Sequence, residues 1–226
     1  MSMGHPPTVA LIHAVIPAMP PMRDTLATEF AAARVINLLD EGLLTEVERQ
    51  GGLTADCVER LVTHVGLAIG AGAEAVLLTC TAYSTVVDQV QARFPGVPVL
   101  AVDQVMVDEA VRLATRIGVL ATVAAGLEQQ LTLLRLAAAQ RGKNIELVTS
   151  LHPDAMAALQ RGDGETHDRI LLAALPDLAA GVELVLLAQA SMARLVPRLP
   201  HLGVPVLTSP RLAVARLRAV LGDTPV

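Results

Sequence analysis

GAGAEAVLLTCTAYS, residues 70–84, is the stretch from which we interpret the rest of the chain. Its apolar run, residues 75–78, is bounded by small residues and ends in Thr79-Cys80-Thr81, after which a helical pattern starts at once. This pattern predicts a buried strand that delivers Cys80 to the start of a helix. Free N–H groups at a helix start favour an anion, so a thiol there is biased towards the thiolate. The alternative is that Cys80 is a small buried hydrophobic residue.

The composition indicates a globular protein with a large core. Hydrophobic residues make up 53% of the 226 residues and charged residues only 17%, which excludes disorder. The chain has one Tyr, two Phe and no Trp, so the core is built from Ala, Val and Leu, as in helices packed closely on a parallel sheet. A net charge of −5 and scarce aromatic rings argue against nucleic-acid binding.

Two further observations concern location. No apolar run is long enough to span a membrane, and the N-terminal MSMGHPPT has no basic or apolar segment of a signal sequence. The two cysteines, Cys57 and Cys80, lack the spacing of a disulfide framework. We therefore expect a cytoplasmic protein that does not bind a membrane.

Strand and helix patterns alternate along the chain. We predict a first strand over residues 8–15, a proline-rich loop over 16–21 and a helix over 22–34. Similar pairs follow, up to a strand over 96–100 and a helix over 103–116. This alternation predicts an α/β fold with parallel sheets.

The second half of the sequence repeats the first. GAEAVLLTCTAYS and GVELVLLAQASM are matching runs that carry Cys80 and Gln189, 109 residues apart (189 − 80). The same offset carries His13 onto Thr122 and residues 35–39 onto 144–148, while GVPVL at Gly96 recurs at Gly203. We therefore predict two similar parallel-sheet lobes related by a pseudo-twofold axis. Their limits are residues 1–103 and 117–209, with a connecting helix over 104–116 and a helix over 210–221 that packs back on the first lobe.

The carboxyl ends of parallel strands are where ligands bind in such folds. If the two halves face each other, His13, Cys80, Thr122 and Gln189 surround one cleft. His13 is then either a partner of the thiol or a buried polar residue bonded to the loop. No cluster of His, Cys and Asp has metal-ligand spacing and no glycine-rich phosphate loop follows a strand, so we expect no metal.

The paired halves, the strand–Cys–helix element and the second-half strand GVLAT resemble the aspartate/glutamate racemase superfamily, which includes hydantoin racemases, maleate isomerases and arylmalonate decarboxylases. The resemblance spans residues 9–212. It implies a site between two lobes, no cofactor, a small carboxylate substrate such as an amino acid, a hydantoin or a dicarboxylic acid, and proton transfer at the carbon next to the carboxylate. It also implies a homodimer. The family's usual pattern has one cysteine in each half, on opposite faces of the substrate.

This sequence matches only half of that pattern. Cys80-Thr81-Ala82 resembles the family's first motif, Cys-Asn-Thr, whereas the second, commonly Gly-Cys-Thr-His, is represented by Ala188-Gln189-Ala190-Ser191. The second cysteine is thus replaced by Gln189, whose amide does not exchange protons near neutral pH. His152, which follows a predicted second-half strand, is the histidine whose location could replace it. The resemblance assigns catalysis to Cys80 and His13. The substrate-binding residues that it implies are Thr81, Ala82, Tyr83, Thr122, Val123, Gln189, Ala190 and Ser191.

Three functions remain open at this point. A single thiol suits an isomerase of the racemase type, in which Cys80 is the acid or base. It equally suits a decarboxylase, in which one thiol protonates one face of a carbanion. The third alternative is a protein that binds a small carboxylate without catalysis.

Overall fold

The computed structural model describes residues 5–222, so the first four residues of the N-terminal stretch inspected for a signal sequence lie outside it. The chain divides into two compact units. The first comprises the described residues up to Val102 together with those from Pro210 onward, and the second comprises Asp103–Ser209. Within residues 5–222, no helix is both long and apolar enough to cross a membrane.

Each unit contains a four-stranded parallel sheet, in the order β2-β1-β3-β4 in the first and β6-β5-β7-β8 in the second. The strands are β1 Thr8–His13, β2 Arg34–Leu39, β3 Ala75–Leu78, β4 Val99–Ala101, β5 Arg116–Ala121, β6 Glu146–Leu151, β7 Leu184–Leu187 and β8 Val206–Thr208. The α-helices are α1 Met19–Glu29, α2 Glu41–Gln50, α3 Ala55–Gly70, α4 Val87–Arg93, α5 Gln104–Leu113, α6 Ala124–Gln140, α7 Pro153–Gln160, α8 Gly164–Ala179 and α9 Ser209–Val220. Short 3₁₀ helices span Ile16–Ala18, Thr81–Val86 and Ala190–Arg198.

The first sheet has a hydrophobic core on each face. Alternate residues of β1 point to opposite faces, so Ala10 and Ile12 pack against α2, α3 and α4. Val9 and Leu11 pack against α1 and α9 on the other face. Helix α9 contributes Ala213, Val214 and Leu217 to this second core. The central strands β1 and β3 are buried along their whole length, as expected of parallel strands covered on both faces.

The second sheet repeats this arrangement. Leu120 of β5 and Leu187 of β7 pack against α7 and α8, while α5 and α6 contact β5, β7 and β8. The α/β fold with two similar parallel-sheet lobes is therefore confirmed. The helix that we predicted as a connection, residues 104–116, begins at Gln104 as α5 but already ends at Leu113, and it packs on α6 in the second unit. The division into lobes with limits at residues 1–103 and 117–209 stays a prediction.

Two local predictions were wrong. Helix α1 starts at Met19 and ends at Glu29, whereas we expected a loop over 16–21 and a helix over 22–34. Prolines fit this position because the N–H groups of a first helical turn have no partner within the helix. A proline, which has no N–H, therefore loses no hydrogen bond there. The segment after Cys80 is a six-residue 3₁₀ helix that leads into α4, and not an α-helix from its first residue.

The offset between the two halves also differs from strand to strand. Leu77 and Leu186 occupy equivalent sheet positions 109 residues apart, as predicted, but Ile12 is equivalent to Leu120, an offset of 108. His13 therefore corresponds to Ala121 and not to Thr122. Leu39 corresponds to Leu151, 112 residues further along, because the connection between β5 and β6 is four residues longer than that between β1 and β2. Repeats in sequence keep one offset only where the loops are equally long.

Gly118 provides a test of packing at the centre of β5. A Cβ atom there would lie 3.0 Å from Leu178 Cγ and 3.2 Å from Val182 Cγ2, which belong to the end of α8 and the loop after it. We expect Gly118→Ala to lower the free energy of unfolding by about 1–3 kcal/mol, because overpacking forces α8 away from the sheet. Urea denaturation measures this change. Gly70→Ala is the matched control, since a Cβ at Gly70 meets open space; equal losses in the two variants would contradict the packing argument.

Candidate active site

The carboxyl edge of the first sheet brings together several of the predicted residues. His13 ends β1, Asp40 follows β2, and Thr79 and Cys80 follow β3. The N–H of Thr79 donates to Ile12 O at 3.0 Å, and the N–H of Asp40 donates to His13 O at 3.0 Å. These hydrogen bonds continue the sheet for one residue beyond its strands, so they fix the backbone from which the side chains at this edge project.

His13 is 0% exposed and both of its ring nitrogens have partners. Nδ1 lies 2.8 Å from Thr79 Oγ1, and Nε2 lies 3.1 Å from Asn37 Oδ1. Burial lowers the pKa of His13, against a smaller opposite effect of Asn37. In the neutral ring, Nε2–H donates to Asn37 and Nδ1 accepts from the Thr79 hydroxyl. The Thr79 hydroxyl also lies 3.1 Å from Ile12 O, but Ile12 O already accepts from the N–H of Thr79, so the single hydroxyl hydrogen can go to Nδ1.

Cys80 is partly exposed, in contrast to Cys57, which is buried in α3. It is the N-cap of the 3₁₀ helix and has extended backbone angles, φ −118° and ψ 126°. The first hydrogen bond of that helix runs from the N–H of Tyr83 to Cys80 O at 3.0 Å. The N–H groups of Thr81 and Ala82 come before this first bond in the chain, so they have no acceptor within the 3₁₀ helix. Both residues are partly exposed. Cys80 is therefore partly exposed at the sheet edge, and it also packs against the core cluster that contains Tyr83. The helix that follows it is shorter than we predicted, and the Cys80 side chain makes no capping hydrogen bond to it.

Tyr83 lies in the core and not at the surface. It is 0% exposed and belongs to the cluster that contains Leu43 and Leu61. Its hydroxyl has no hydrogen-bond partner among the described residues. Burial raises the pKa of Tyr83 far above its usual range, with a further contribution from the charge of Cys80. Its role in substrate binding stays a prediction, since this side chain contacts no solvent in the structure.

An acid–base cluster that the sequence analysis missed lies beside β2. Asp40 accepts two hydrogen bonds from Arg60, Nε at 2.8 Å and Nη2 at 2.6 Å, and Asp40 Oδ2 lies 2.6 Å from His64 Nε2. Its carboxylate also caps α2 by accepting from Leu43 N. Partial burial acts to raise the pKa of Asp40, but the bonds from His64, Arg60 and Leu43 lower it on balance. Asp40 directly follows a strand and precedes a helix, and that position is the signal that identifies it as a cap.

The carboxyl edge of the second sheet is organised by Gln189. Its Oε1 accepts from Thr122 N at 2.9 Å and from Thr122 Oγ1 at 3.2 Å. Because a backbone N–H can only donate, the atom that faces it must be the amide oxygen. The amide nitrogen consequently points away, towards Gly126, where a Cβ atom would be 3.0 Å from it. This Nε2 is buried and has no partner among the described residues.

The other predicted residues of the second unit lie at the starts of the segments that follow its strands β5, β6 and β7. Ala190 and Ser191 are buried in the first turn of the 3₁₀ helix, and Thr122 is buried, whereas Val123 is partly exposed as the N-cap of α6. His152 follows β6 and is partly exposed. Its backbone N–H donates to Ala121 O at 2.8 Å, which places it beside the end of β5.

A buried carboxylate anchors the segment that follows Gln189. Asp168 of α8 is 2% exposed and accepts from Arg194 Nε at 2.9 Å and from Arg198 Nη1 at 3.1 Å. Asp168 Oδ1 also lies 2.8 Å from His167 Nδ1. Both arginines belong to the 3₁₀ helix that starts at Ala190. The network therefore holds that helix, and with it Ser191, against α8. Sequence patterns did not reveal this network because its members are 26 to 30 residues apart.

The two edges differ in the chemistry that they offer. The first presents a thiol, while the second presents hydroxyls, an amide and one histidine. No group of three or more His, Cys, Asp or Glu in residues 5–222 is arranged to hold a metal ion. An open hollow of about 500 Å³ lies along the loop Leu199–Val206, but none of the predicted site residues lines it.

The burial of neutral His13 predicts a dependence of stability on pH. The pKa of this group is below 6.5 in the folded chain, so the unfolded chain binds a proton first as the pH falls through about 6.5. The free energy of unfolding should therefore decrease between about pH 8 and pH 5, and the stability difference between wild type and His13→Gln should shrink over the same interval. Urea denaturation at each pH measures the free energy of unfolding of wild type and variant, with His201→Gln, at an exposed position, as the control. A difference that grows on acidification would contradict a neutral His13.

The hydrogen bonds of Gln189 predict a second effect. Gln189→Leu leaves the N–H and hydroxyl of Thr122 without their acceptor, which should cost about 1–3 kcal/mol of unfolding free energy. Gln140→Leu, at the exposed end of α6, is the matched control. Equal stability of the two variants in chemical denaturation would show that the bonds to Thr122 contribute nothing.

Comparison with known proteins places this geometry in a family. No curated protein matches the sequence closely enough to count as a relative. The solved structures that it resembles include glutamate racemase RacE1 from Bacillus anthracis, with 14% identity, a TM-score of 0.71 and coverage of 97% of this chain and 83% of that one. They also include an aspartate racemase from Picrophilus torridus, with 13% identity, a TM-score of 0.67 and coverage of 96% and 94%.

Allantoin racemase from Klebsiella pneumoniae is similar over 97% of this chain and 94% of its own, with 15% identity and a TM-score of 0.59. At such identities these likenesses show the fold alone. The sequence itself matches the model of the family described as Asp/Glu/Hydantoin racemase over residues 11–217, nearly the whole chain. The protein therefore belongs to the Asp/Glu/Hydantoin racemase family.

Proposed function

We propose that this protein is a racemase-type isomerase that transfers a proton at the carbon next to the carboxylate of a small acid, with the Cys80 thiol as acid and base. The observation that carries the proposal is the partly exposed Cys80 at the carboxyl edge of the first sheet, in a chain of the racemase family. As a thiolate, Cys80 takes the α-hydrogen as a proton, and the electron pair left on carbon delocalises into the carboxylate. The thiol then returns a proton to that carbon.

The surroundings of Cys80 support this role. Nearby peptide N–H groups stabilise the negative charge of a thiolate or of a substrate carboxylate. Cys57, the other cysteine, is buried and therefore cannot reach a substrate from solvent. His13 is enclosed and neutral, so we assign it a positioning role: its hydrogen bond holds Thr79, the residue that precedes Cys80. Thr81 and Ala82, which directly follow Cys80, are partly exposed, and we keep them as groups that bind the substrate.

The second edge favours a one-thiol enzyme over a two-thiol racemase. Gln189 neither gives nor takes a proton near neutral pH, and its oxygen is already engaged by Thr122. This same observation favours the alternative function, a decarboxylase in which Cys80 protonates one face of the carbanion left by carbon dioxide. A homodimer and a cytoplasmic location stay predictions.

Hydrogen–deuterium exchange tests the function directly. The wild type is incubated in D₂O with each enantiomer of aspartate and glutamate, and the α-proton signal is followed by NMR. We expect its loss with at least one probe, and Cys80→Ser should slow the exchange by at least about 100-fold because the acid–base group is gone. Cys57→Ala is the matched control and should keep the wild-type rate.

Other outcomes would reassign the protein. Carbon dioxide release from methylmalonate without exchange on the amino acids would identify the decarboxylase. Binding of a probe without any turnover would leave a carboxylate-binding protein. Exchange that continues unchanged in Cys80→Ser would refute the role of the thiol.

A further inference from the structure

We propose that the buried hydroxyl of Tyr83 is a hydrogen-bond donor for the thiolate of Cys80, within the first unit alone. The pairing itself does not depend on the reaction, and only its effect on turnover rests on the proposed function. The Tyr83 side chain is 0% exposed, while its hydroxyl has no hydrogen-bond partner among the described residues. A buried polar group without a partner is costly, so a fold that keeps one needs a reason for it.

The position of Tyr83 in the chain directs its side chain towards Cys80. The two residues are three apart at the start of the 3₁₀ helix Thr81–Val86, and the N–H of Tyr83 donates to Cys80 O at 3.0 Å. A 3₁₀ helix has three residues per turn, so side chains three residues apart lie on the same side, and helical side chains lean towards the N-terminus. Both residues also meet one core, because Tyr83 is buried in the cluster that contains Leu43 and Leu61, and Cys80 packs against this cluster.

The carboxylate whose charge also acts on Tyr83 is already fully bonded. Asp40 accepts from Leu43 N and from Nε and Nη2 of Arg60, and its Oδ2 lies 2.6 Å from His64 Nε2. A carboxylate has about four acceptor positions, so these partners fill it. Asp40 is therefore not the acceptor that the Tyr83 hydroxyl lacks.

Of the two cysteines, Cys80 is the better acceptor for this hydroxyl. Cys57 Sγ lies 3.3 Å from Thr54 Oγ1 at the start of α3, and Cys57 is buried. Among the charged groups that act on Tyr83, Cys80 has the largest effect, as expected of a short separation. A thiolate accepts several hydrogen bonds, so a bond from Tyr83 adds to the interactions that Cys80 already makes.

Tyr83 has the chemistry of a donor that keeps its proton. Burial raises the pKa of Tyr83 far above its usual range and the charge of Cys80 raises it further, so the hydroxyl stays protonated while the thiol ionises. A thiol sulfur is a weak acceptor, whereas a hydrogen bond to a charged group is a strong one. The bond therefore forms when the thiolate forms, and it favours the ionised state of Cys80.

Alkylation by iodoacetamide tests the pairing without any substrate, because only the thiolate reacts. In the Cys57→Ala variant Cys80 is the single cysteine, and its alkylation rate is measured as a function of pH. Adding Tyr83→Phe should lower the rate at neutral pH by about tenfold, since the thiolate loses a donor while the ring is kept. At high pH the two rates should converge. An unchanged titration of Cys80 in the Tyr83→Phe variant would overturn the proposal.

Stability separates this role from a merely structural one. Because the hydroxyl has no partner among the described residues, Tyr83→Phe should keep or raise the midpoint of urea denaturation. A lowered midpoint would show that the hydroxyl bonds another group of the folded chain, which contradicts the proposal. Thr63→Val is the matched control, since it removes an exposed hydroxyl that donates to Glu59 O in its own helix at 2.9 Å. This control should leave the titration of Cys80 unchanged.

The absorbance of the unmodified chain provides a third measurement. Tyr83 is the only tyrosine and the chain has no Trp, so this side chain dominates the near-ultraviolet absorbance. Its band should shift as Cys80 ionises, with the same midpoint as the alkylation rate, and the shift should disappear in Cys80→Ser. A band that stays constant across that titration would overturn the proposal.

Failure of the pairing and failure of the proposed function give different results. If both hold, exchange of the α-hydrogen of aspartate or glutamate in Tyr83→Phe should be about tenfold slower at neutral pH and should recover at higher pH, as the alkylation rate does. Exchange that does not follow this titration would overturn the effect on turnover. A wild type that exchanges neither acid would overturn the proposed function alone, because the alkylation and absorbance titrations decide the pairing.

Discussion

The hydrogen bonds that join the carboxyl ends of the central strands are the constraint on which both units depend. In the first unit Thr79 closes β3 onto β1 through Ile12 O and the ring of His13. In the second unit Gln189 closes β7 onto β5 through Thr122. Parallel strands have no hairpin to hold their ends together, and here side chains add to the backbone hydrogen bonds that join the strand ends. They are buried where the sheet meets its loops, and an unmatched partner there is costly.

The side chains that make these hydrogen bonds come from positions one residue apart in the two units, Thr79 in the first and Gln189 in the second. This difference gives the two edges different chemistry. In the first unit the side-chain hydrogen bond comes from Thr79, and the next residue, Cys80, is partly exposed and packs against the core cluster that contains Tyr83. In the second unit the residue equivalent to Thr79 is Ala188, whose N–H donates to Leu120 O at 2.9 Å but whose side chain cannot form a hydrogen bond. The side chain of Gln189, at the cysteine position, forms the side-chain hydrogen bonds instead. The loss of the second thiol thus goes together with a structural use of the residue that replaced it. Gly126 belongs to the same arrangement, because a Cβ atom there would lie 3.0 Å from the amide nitrogen and would crowd it.

Sequence patterns identified the residues at the strand ends better than their surroundings. Cys80 and Gln189 were found because each terminates an apolar run of the same length, and such runs predict buried strands directly. Thr122 was assigned a wrong partner, since the repeat was read with one offset and the loops differ in length. The clusters around Asp40 and Asp168 were missed because their arginines come from a different helix, and no local pattern records such a contact. The prolines at 20 and 21 were read as a loop although they suit a first helical turn.

The sequence by itself determined the fold class, the duplication and the imbalance of one cysteine against one glutamine. These are properties of periodicity and of residue identity, which do not depend on where distant segments lie. Only the tertiary structure decided that His13 is enclosed and neutral, that the Gln189 oxygen is bound by Thr122, and that His152 lies beside the end of β5. Each of these depends on contacts between strands about 30 to 70 residues apart, and hydrogen-bond geometry and burial exist only once those strands are paired.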